Sequence, residues 1–145
     1  MKKIATLFAA AFVGVSAFAQ QALWGGPQVE SPVLNADGTV TFRYLAPKAV
    51  RVTVSGDFLP TRKIQTPYGE FDAPGVAELK EGQNGVWEYT TEFKPAPEMY
   101  SYTFNVDGLN LIDNNNIWVN RDIASMTSTF IVPGGRADLY KVQDV

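Results

Sequence analysis

The side chains that could do chemistry in this sequence are carboxylates and aromatic rings, because two reactive residue types are missing. The 145-residue chain contains no His and no Cys. Ser-His-Asp and Cys-His catalytic arrangements are therefore excluded, and so are imidazole and thiolate metal ligands. The Gly-x-Ser-x-Gly pattern that presents a nucleophilic serine in hydrolases is absent as well.

Paired carboxylates remain as a route to hydrolysis, as in glycosidases. Glu88 and Glu92 lie on the polar face of a predicted strand, where solvated charge is the ordinary expectation. Nothing in the sequence would desolvate one partner and raise its pKa, as a general acid requires. We therefore predict that this chain is not an enzyme. The acids considered are Glu70, Asp72, Glu78, Glu81, Glu88 and Glu92.

Oxygen ligands cluster in Asp113-Asn114-Asn115-Asn116, which would suit calcium, although the spacing is not that of an EF-hand loop. Asp and Asn side chains also bond their own backbone in Asx turns, which is the simpler interpretation. We expect neither a metal site nor a cofactor.

Aromatic rings in segments without strand alternation are the candidates for contact with a carbohydrate or a neighbouring domain, because loops carry much of the binding function of proteins. An adjacent Arg-Asp pair could form the polar rim of such a surface. The candidates are Trp24, Tyr68, Phe71, Trp118, Arg121 and Asp122. In contrast, Trp87, Tyr89, Tyr100, Tyr102 and Phe104 alternate with polar residues and are expected in the core.

Alternation of apolar and polar residues predicts strands throughout, and no helical periodicity is present. Asp107-Gly108 predicts a tight hairpin turn, and the Pro and Gly residues within 60–75 predict a long loop. We also expect a short strand at residues 77–80, paired with the strand that contains Trp87. The longer predicted strands cover residues 40–44, 50–54, 86–93, 100–106 and 126–132, with a brief one at 109–112. The fold class that follows is an all-β antiparallel sandwich of about seven or eight strands.

The first 19 residues predict a signal peptide, with Lys2-Lys3 before an apolar run and a cleavage site at Ala17-Phe18-Ala19. The apolar run is too short for a comfortable membrane span. Without Cys there is no thiol for a lipoprotein anchor. We expect an exported protein, periplasmic or extracellular, that does not associate with a membrane after cleavage.

The remaining chain is expected to form one domain, since 46% of the 145 residues are hydrophobic. We assign residues 20–36 to an N-terminal arm, 37–133 to the sandwich and 134–145 to a linker toward a further domain. A tail that docks on its own sandwich is the alternative. The formal charge of −3, more negative without Lys2 and Lys3, offers no electrostatic basis for nucleic-acid binding.

Three motifs follow one another along the chain, at residues 52–58 (VTVSGDF), 85–88 (GVWE) and 100–108 (YSYTFNVDG), with Asp113 and Asn116 beyond. In these motifs the sequence resembles carbohydrate-binding module family 48. The resemblance covers about residues 37–132. It implies an early-set immunoglobulin-like sandwich attached to an enzyme that acts on polysaccharide.

A narrower resemblance is to the N-terminal module of exported family 1 carbohydrate esterases, the feruloyl and acetylxylan esterases. It rests on residues 25–27 (GGP), 41–44 (TFRY), 120–125 (NRDIAS) and 139–145 (LYKVQDV). It implies a C-terminal α/β-hydrolase domain as partner, with the catalytic Ser, His and acid downstream of Val145.

The chain departs from the starch-binding members of family 48 at two positions. Where those members carry sugar-stacking aromatics, this sequence has Thr61 and Asn110, which offer no flat apolar platform. Our leading interpretation is a non-catalytic module that holds plant cell-wall polysaccharide, feruloylated or acetylated xylan, near an esterase domain. The alternative is a purely structural module that packs on that domain without binding sugar.

We predict that mature protein from the native host begins at Gln20, because cleavage follows the small residue Ala19. Mass analysis of the exported protein checks this. A soluble cytoplasmic product that retains Lys2 and Lys3 would contradict it.

Overall fold

The structure, a computed structural model, describes residues 29–140, and almost all of its ordered segments are β-strands. The predicted signal peptide and Trp24 lie outside the described residues. No helical segment within the described part is long and apolar enough to cross a membrane. The strands are β1 (Val33–Leu34), β2 (Val40–Leu45), β3 (Val52–Gly56), β4 (Arg62–Thr66), β5 (Gly69–Ala73), β6 (Gly75–Glu78), β7 (Lys80–Glu81), β8 (Val86–Thr90), β9 (Met99–Val106), β10 (Leu109–Leu111), β11 (Val119–Arg121) and β12 (Met126–Ile131).

Two antiparallel sheets form the sandwich. The first has the order β1-β2-β8-β7, and the second has the order β11-β12-β9-β3-β6 with β10 also on β9. Strands β4 and β5 form a separate hairpin. Short 3₁₀-helical segments lie at Gln83–Gly85 and Gly135–Tyr140. The all-β sandwich class is confirmed. The twelve strands in residues 29–140 outnumber the expected seven or eight because β1, β7 and β11 are too short to show alternation, and because β4 and β5 form where a loop was expected.

Aromatic rings from both sheets meet in the core. Phe42 of β2 stacks on Phe58 with ring centroids 4.7 Å apart, and it meets the edge of Tyr102 from β9 at 5.0 Å. Phe130 of β12 approaches Phe42 to 5.5 Å. All four side chains are buried, and the aliphatic residues Val40, Val52 and Val54 extend the same cluster. Burial of this apolar surface is the main driving force for folding.

The turn at Asp107-Gly108 is confirmed as a two-residue hairpin. Both residues have positive φ, 49° and 94°, and Leu109 pairs with Val106 across the turn. The Asp107 carboxylate also accepts hydrogen bonds from the backbone amides of Val50 and Arg51, at 3.0 and 2.8 Å. The expected strand start at Val50 is wrong, because these amides bond to a side chain; β3 begins at Val52, and Val50 is 86% exposed.

The expected long loop over residues 60–75 is also wrong, since most of it is the β4–β5 hairpin. Its strands alternate weakly because both faces carry polar side chains. At its base Gly75 allows a close backbone approach: a Cβ there would lie 2.4 Å from the Pro60 carbonyl oxygen.

The predicted strand at 77–80 is only partly right, because the chain changes sheets there. Residues up to Glu78 pair with β3 in the second sheet, whereas Lys80 and Glu81 pair with β8 in the first. Leu79 lies between them and is buried.

Other strand bounds also differ from expectation; β2, β9 and β10 each differ by one residue at one end. Strand β8 ends at Thr90 rather than at residue 93. The reason is Thr91, whose hydroxyl accepts a hydrogen bond from the Val40 amide at 3.0 Å and donates one to the Phe93 carbonyl at 2.7 Å. Strand β12 ends at Ile131 rather than 132. Residues 119–121, expected to be irregular, form β11 by pairing with β12.

Trp87→Ala should lower the free energy of unfolding by about 3–5 kcal/mol, because a large buried side chain is replaced by a cavity. The Trp87 indole is 8% exposed and its Nε1–H donates to the Ala46 carbonyl at 3.0 Å. Urea unfolding measures the change. Tyr68→Ala is the control: its side chain is 92% exposed and its loss should cost less than about 0.5 kcal/mol. Equal losses for the two variants would contradict the assignment of Trp87 to the core.

Candidate functional site

A groove of about 650 Å³ runs along one side of the sandwich, where β1 of the first sheet approaches β9 and β12 of the second. We call it the lateral groove. Its apolar lining comes from Pro32, Leu34, Met99, Ile117, Trp118, Phe130, Ile131 and Tyr140, and its polar lining from Glu30, Ser31, Asn115, Asn116 and Thr129.

The wall that carries Trp118 is built on a buried carboxylate. Asp113 has no exposed surface; its Oδ2 accepts a hydrogen bond from the Tyr102 hydroxyl at 2.8 Å. Its Oδ1 accepts the Asn115 amide at 2.9 Å, and its own amide donates to the Ser128 hydroxyl at 2.8 Å. The interpretation of residues 113–116 as an Asx turn is confirmed. Within residues 29–140 no three His, Cys, Asp or Glu side chains are placed to hold a metal ion.

Asn116 links this turn to Trp118. Its side-chain amide donates to the Thr129 carbonyl at 2.7 Å and to the Tyr102 hydroxyl at 3.0 Å. Its Oδ1 accepts the Trp118 amide at 2.9 Å, and the Trp118 carbonyl accepts the Thr129 amide at 2.9 Å. The backbone of Trp118 is therefore held on both sides, while its indole is 65% exposed.

The Tyr102 hydroxyl stays protonated in this network. Burial raises the pKa of Tyr102 well above its ordinary value, and the nearby Asp113 carboxylate raises the pKa further. The hydroxyl therefore remains a donor to Asp113 over the whole range in which proteins are stable.

The turn between β11 and β12 is held by Asp122. Its Oδ1 accepts the amides of Ala124 and Ser125, at 2.7 and 3.0 Å. These bonds, the Ala124 amide first, hold the pKa of Asp122 below its ordinary value. Ile123 at the tip is fully exposed. Arg121 and Asp122 do not form an ion pair with each other; the ion pairs within residues 29–140 use Arg43, Arg51 and Lys63.

Four of the acids considered as catalytic form surface ion pairs. Glu88 pairs with Arg43, and Glu78 with Arg51. Glu70 and Asp72 share Lys63 at 3.5 and 2.8 Å.

The β4–β5 hairpin presents two candidate rings away from the lateral groove. Tyr68 lies at its tip and is almost fully exposed, while Phe71 lies opposite Ile64 and is half-exposed. The tip is held by Thr66, whose hydroxyl donates to the Gly69 carbonyl at 3.0 Å. The ion pairs of Lys63 with Glu70 and Asp72 link the two strands on the opposite face.

The structure thus places the predicted site residues in three parts of the described surface. Trp118 lines the lateral groove, Arg121 and Asp122 lie at the end of β11 and in the turn that follows it, and Tyr68 and Phe71 lie on the hairpin. The sequence reasoning missed the groove residues Leu34, Met99 and Ile131. Leu34 falls in the segment assigned to the N-terminal arm, Met99 directly before a predicted strand, and Ile131 within a predicted strand.

Comparison with known proteins establishes a shared fold. No protein-family model and no curated protein sequence matches this chain. Among solved structures, the group B Streptococcus pullulanase SAP is 18% identical over 76% of this chain, with a TM-score of 0.51. The same pullulanase in complex with maltotetraose is 20% identical over 76% of the chain, with a TM-score of 0.50. The matched region spans 15% of each pullulanase chain, and neither structure is an esterase.

Asp113→Ala should destabilise the protein by about 1–3 kcal/mol, because the Tyr102 hydroxyl and the Asn115 amide lose their acceptor. Thermal and urea unfolding measure the change. Asp113→Asn keeps the size and one acceptor oxygen and should lose less, while Asn114→Ala, an exposed neighbour in the same turn, should change little. The network is not the anchor of the groove wall if Asp113→Ala unfolds like Asn114→Ala.

Proposed function

We propose that this chain is a non-catalytic carbohydrate-binding module of an exported enzyme that acts on polysaccharide. The observation that carries the proposal is the β4–β5 hairpin, which presents Tyr68 and Phe71 to solvent outside the sandwich core. Sugar rings stack on flat apolar rings of this kind. The fold that the chain shares with part of a pullulanase, solved once with maltotetraose, supports the same class of role.

The hairpin has a face suited to a neutral polymer. Ile64 and Phe71 pair on one face, and Arg62 and Thr66 lie on that face by the alternation of the strands. On the other face Lys63 is neutralised by Glu70 and Asp72. In this proposal an uncharged polysaccharide chain lies against Ile64 and Phe71 and reaches Tyr68 at the tip.

The mechanism we propose is proximity. A module that holds a polymer beside a tethered catalytic site raises the local substrate concentration without changing the chemical barrier. The catalytic residues would belong to a domain downstream of Val145. This agrees with the absence of His and Cys from the chain.

The finer proposal is that the parent enzyme is a feruloyl or acetylxylan esterase acting on xylan. Its support is the motif resemblance at residues 120–125 and 139–145. Thr61 and Asn110, both exposed, provide no ring for an α-glucan at the usual site of the module family. Xylan is therefore the ligand we test first.

A purely structural module remains the second candidate, and the lateral groove favours it. The groove exposes several large apolar side chains beside Tyr140, the last described residue. Such a surface suits packing against another domain as well as it suits a ligand.

Tyr68→Ala should weaken binding to xylan about tenfold, equivalent to about 1.4 kcal/mol, because the stacking ring is lost. Affinity electrophoresis of residues 20–145 in gels with xylan or pullulan measures it. Tyr68→Phe keeps the ring and should bind nearly as well as the wild type. A wild-type chain that neither polysaccharide retards would favour the structural module instead.

A further inference from the structure

We propose that the β4–β5 hairpin binds a polysaccharide whose uncharged main chain carries uronic acid substituents, and that Arg62 binds the carboxylate of such a substituent. This rests on the proposed function, which places sugar binding on the hairpin, and it names the class of ligand. The juxtaposition that carries it is a cation without an ion pair on the same face as the Phe71 ring.

The two faces of the hairpin differ in charge. Lys63 lies within ion-pair distance of Glu70 and Asp72, at 3.5 and 2.8 Å, so these three side chains share one face. Side chains alternate between the two faces of a strand, and Arg62 and Phe71 therefore lie on the other face, which we call the Phe71 face. The first face has two carboxylates and one cation, whereas the Phe71 face has Arg62 and no carboxylate.

The pairing of the strands leaves Arg62 without a charged partner. Lys63 has Asp72 opposite it, but the residue opposite Arg62 is Ala73, which has no acceptor on its side chain. Within residues 29–140 Arg62 forms no ion pair. Its positive charge is therefore available to a ligand that lies on the Phe71 face.

The base of the hairpin orients the Arg62 guanidinium. Its Nε–H donates to the carbonyl of Pro74, the residue that follows β5, at 3.3 Å. The two terminal nitrogens have no acceptor in the described part of the chain. They form an edge of the planar guanidinium that matches a carboxylate with two parallel hydrogen bonds, so the site selects a carboxylate by shape as well as by charge.

This carboxylate site lies beside the ring on which a sugar stacks in the proposed function. Arg62 and Phe71 are diagonal neighbours on paired strands, a relation in which residues lie about 7–8 Å apart. A sugar stacked on Phe71 therefore places a substituent within reach of the long Arg62 side chain. The same face of β5 carries Gly69 and Ala73 on either side of Phe71, so the approach to the ring is open along that strand.

Thr66 is the other polar side chain of the Phe71 face, and its hydroxyl proton is already used. The hydroxyl donates to the Gly69 carbonyl at 3.0 Å and accepts a hydrogen bond from the Tyr68 amide at 3.2 Å. Arg62 is therefore the side chain of this face that still has donors for a ligand. The rings offer apolar contact to any sugar, whereas an acidic substituent gains charge-assisted hydrogen bonds in addition.

The formal charge of −3 on the whole chain does not oppose this contact. At physiological ionic strength the Debye length is about 8 Å, so exposed charges farther than this from the bound acid are largely screened. The cation nearest to the stacked sugar then decides which substituent is attracted.

The experiment measures binding of residues 20–145 to glucuronoxylan and to the same polymer after its carboxylates have been reduced to alcohols. Isothermal titration calorimetry gives the two dissociation constants. We expect the wild type to bind the acidic polymer about threefold to fivefold more tightly, the range of an exposed ion pair. At about 1 M salt, where the Debye length is about 3 Å, the ratio of the two constants should approach one.

Arg62→Gln should bring the ratio of the two dissociation constants close to one, because the charge and the guanidinium edge are lost. Lys63→Gln is the matched control: it removes the same charge from the adjacent residue on the opposite face and should retain the ratio. Unfolding midpoints check that both variants stay folded. An equal loss of the ratio in both variants would indicate an effect of net charge and would overturn the proposal. Loss of binding to both polymers in Arg62→Gln would make Arg62 a structural residue and would overturn it as well.

The outcomes separate this inference from the proposed function. Equal affinity of the wild type for the two polymers, with both affinities weakened in Tyr68→Ala, would overturn the carboxylate site and leave sugar binding by the hairpin intact. No binding of either polymer would overturn both. A preference for the acidic polymer that survives Phe71→Ala unchanged would overturn this inference, because the acid would then bind without a stacked sugar.

Discussion

The buried hydrogen-bond network of Tyr102, Asp113 and Asn116 is the constraint on which the exposed features of this module depend. Its donors and acceptors are satisfied by one another and by Ser128, Thr129 and the turn backbone. A buried polar group without a partner would cost stability, so this network defines a single arrangement of the 113–118 segment. Through that arrangement the central strand β9 determines where Trp118 lies.

The same strand separates the two surfaces of the module. Strand β12 pairs with the first half of β9 and carries the groove wall, whereas β3 pairs along its other side and leads through Phe58 to the β4–β5 hairpin. The apolar groove and the exposed rings of the hairpin therefore belong to different parts of the molecule.

Four of the six carboxylates considered for a hydrolytic pair lie in ion pairs at the surface. Glu88 pairs with Arg43, Glu78 pairs with Arg51, and Glu70 and Asp72 share Lys63. Exposed ion pairs of this kind contribute little stability, and they keep these four acids out of the apolar environment that a glycosidase general acid requires. The exposed rings of the hairpin and of the groove wall stand on backbone that is held by hydrogen bonds of Thr66 and Asn116.

The sequence alone determined the features that depend on near neighbours in the chain. Alternation predicted the sandwich and the burial of Trp87, and Asp107-Gly108 predicted its turn, because the period of a strand and the φ angles of a turn are local properties. The tertiary structure decided the β4–β5 hairpin, the change of sheets at Leu79 and the placement of Trp118 and Tyr140 in one groove. These depend on pairing and packing between distant segments, such as Asn116 with Thr129 or Gly75 against Pro60, and alternation carries no information about such partners.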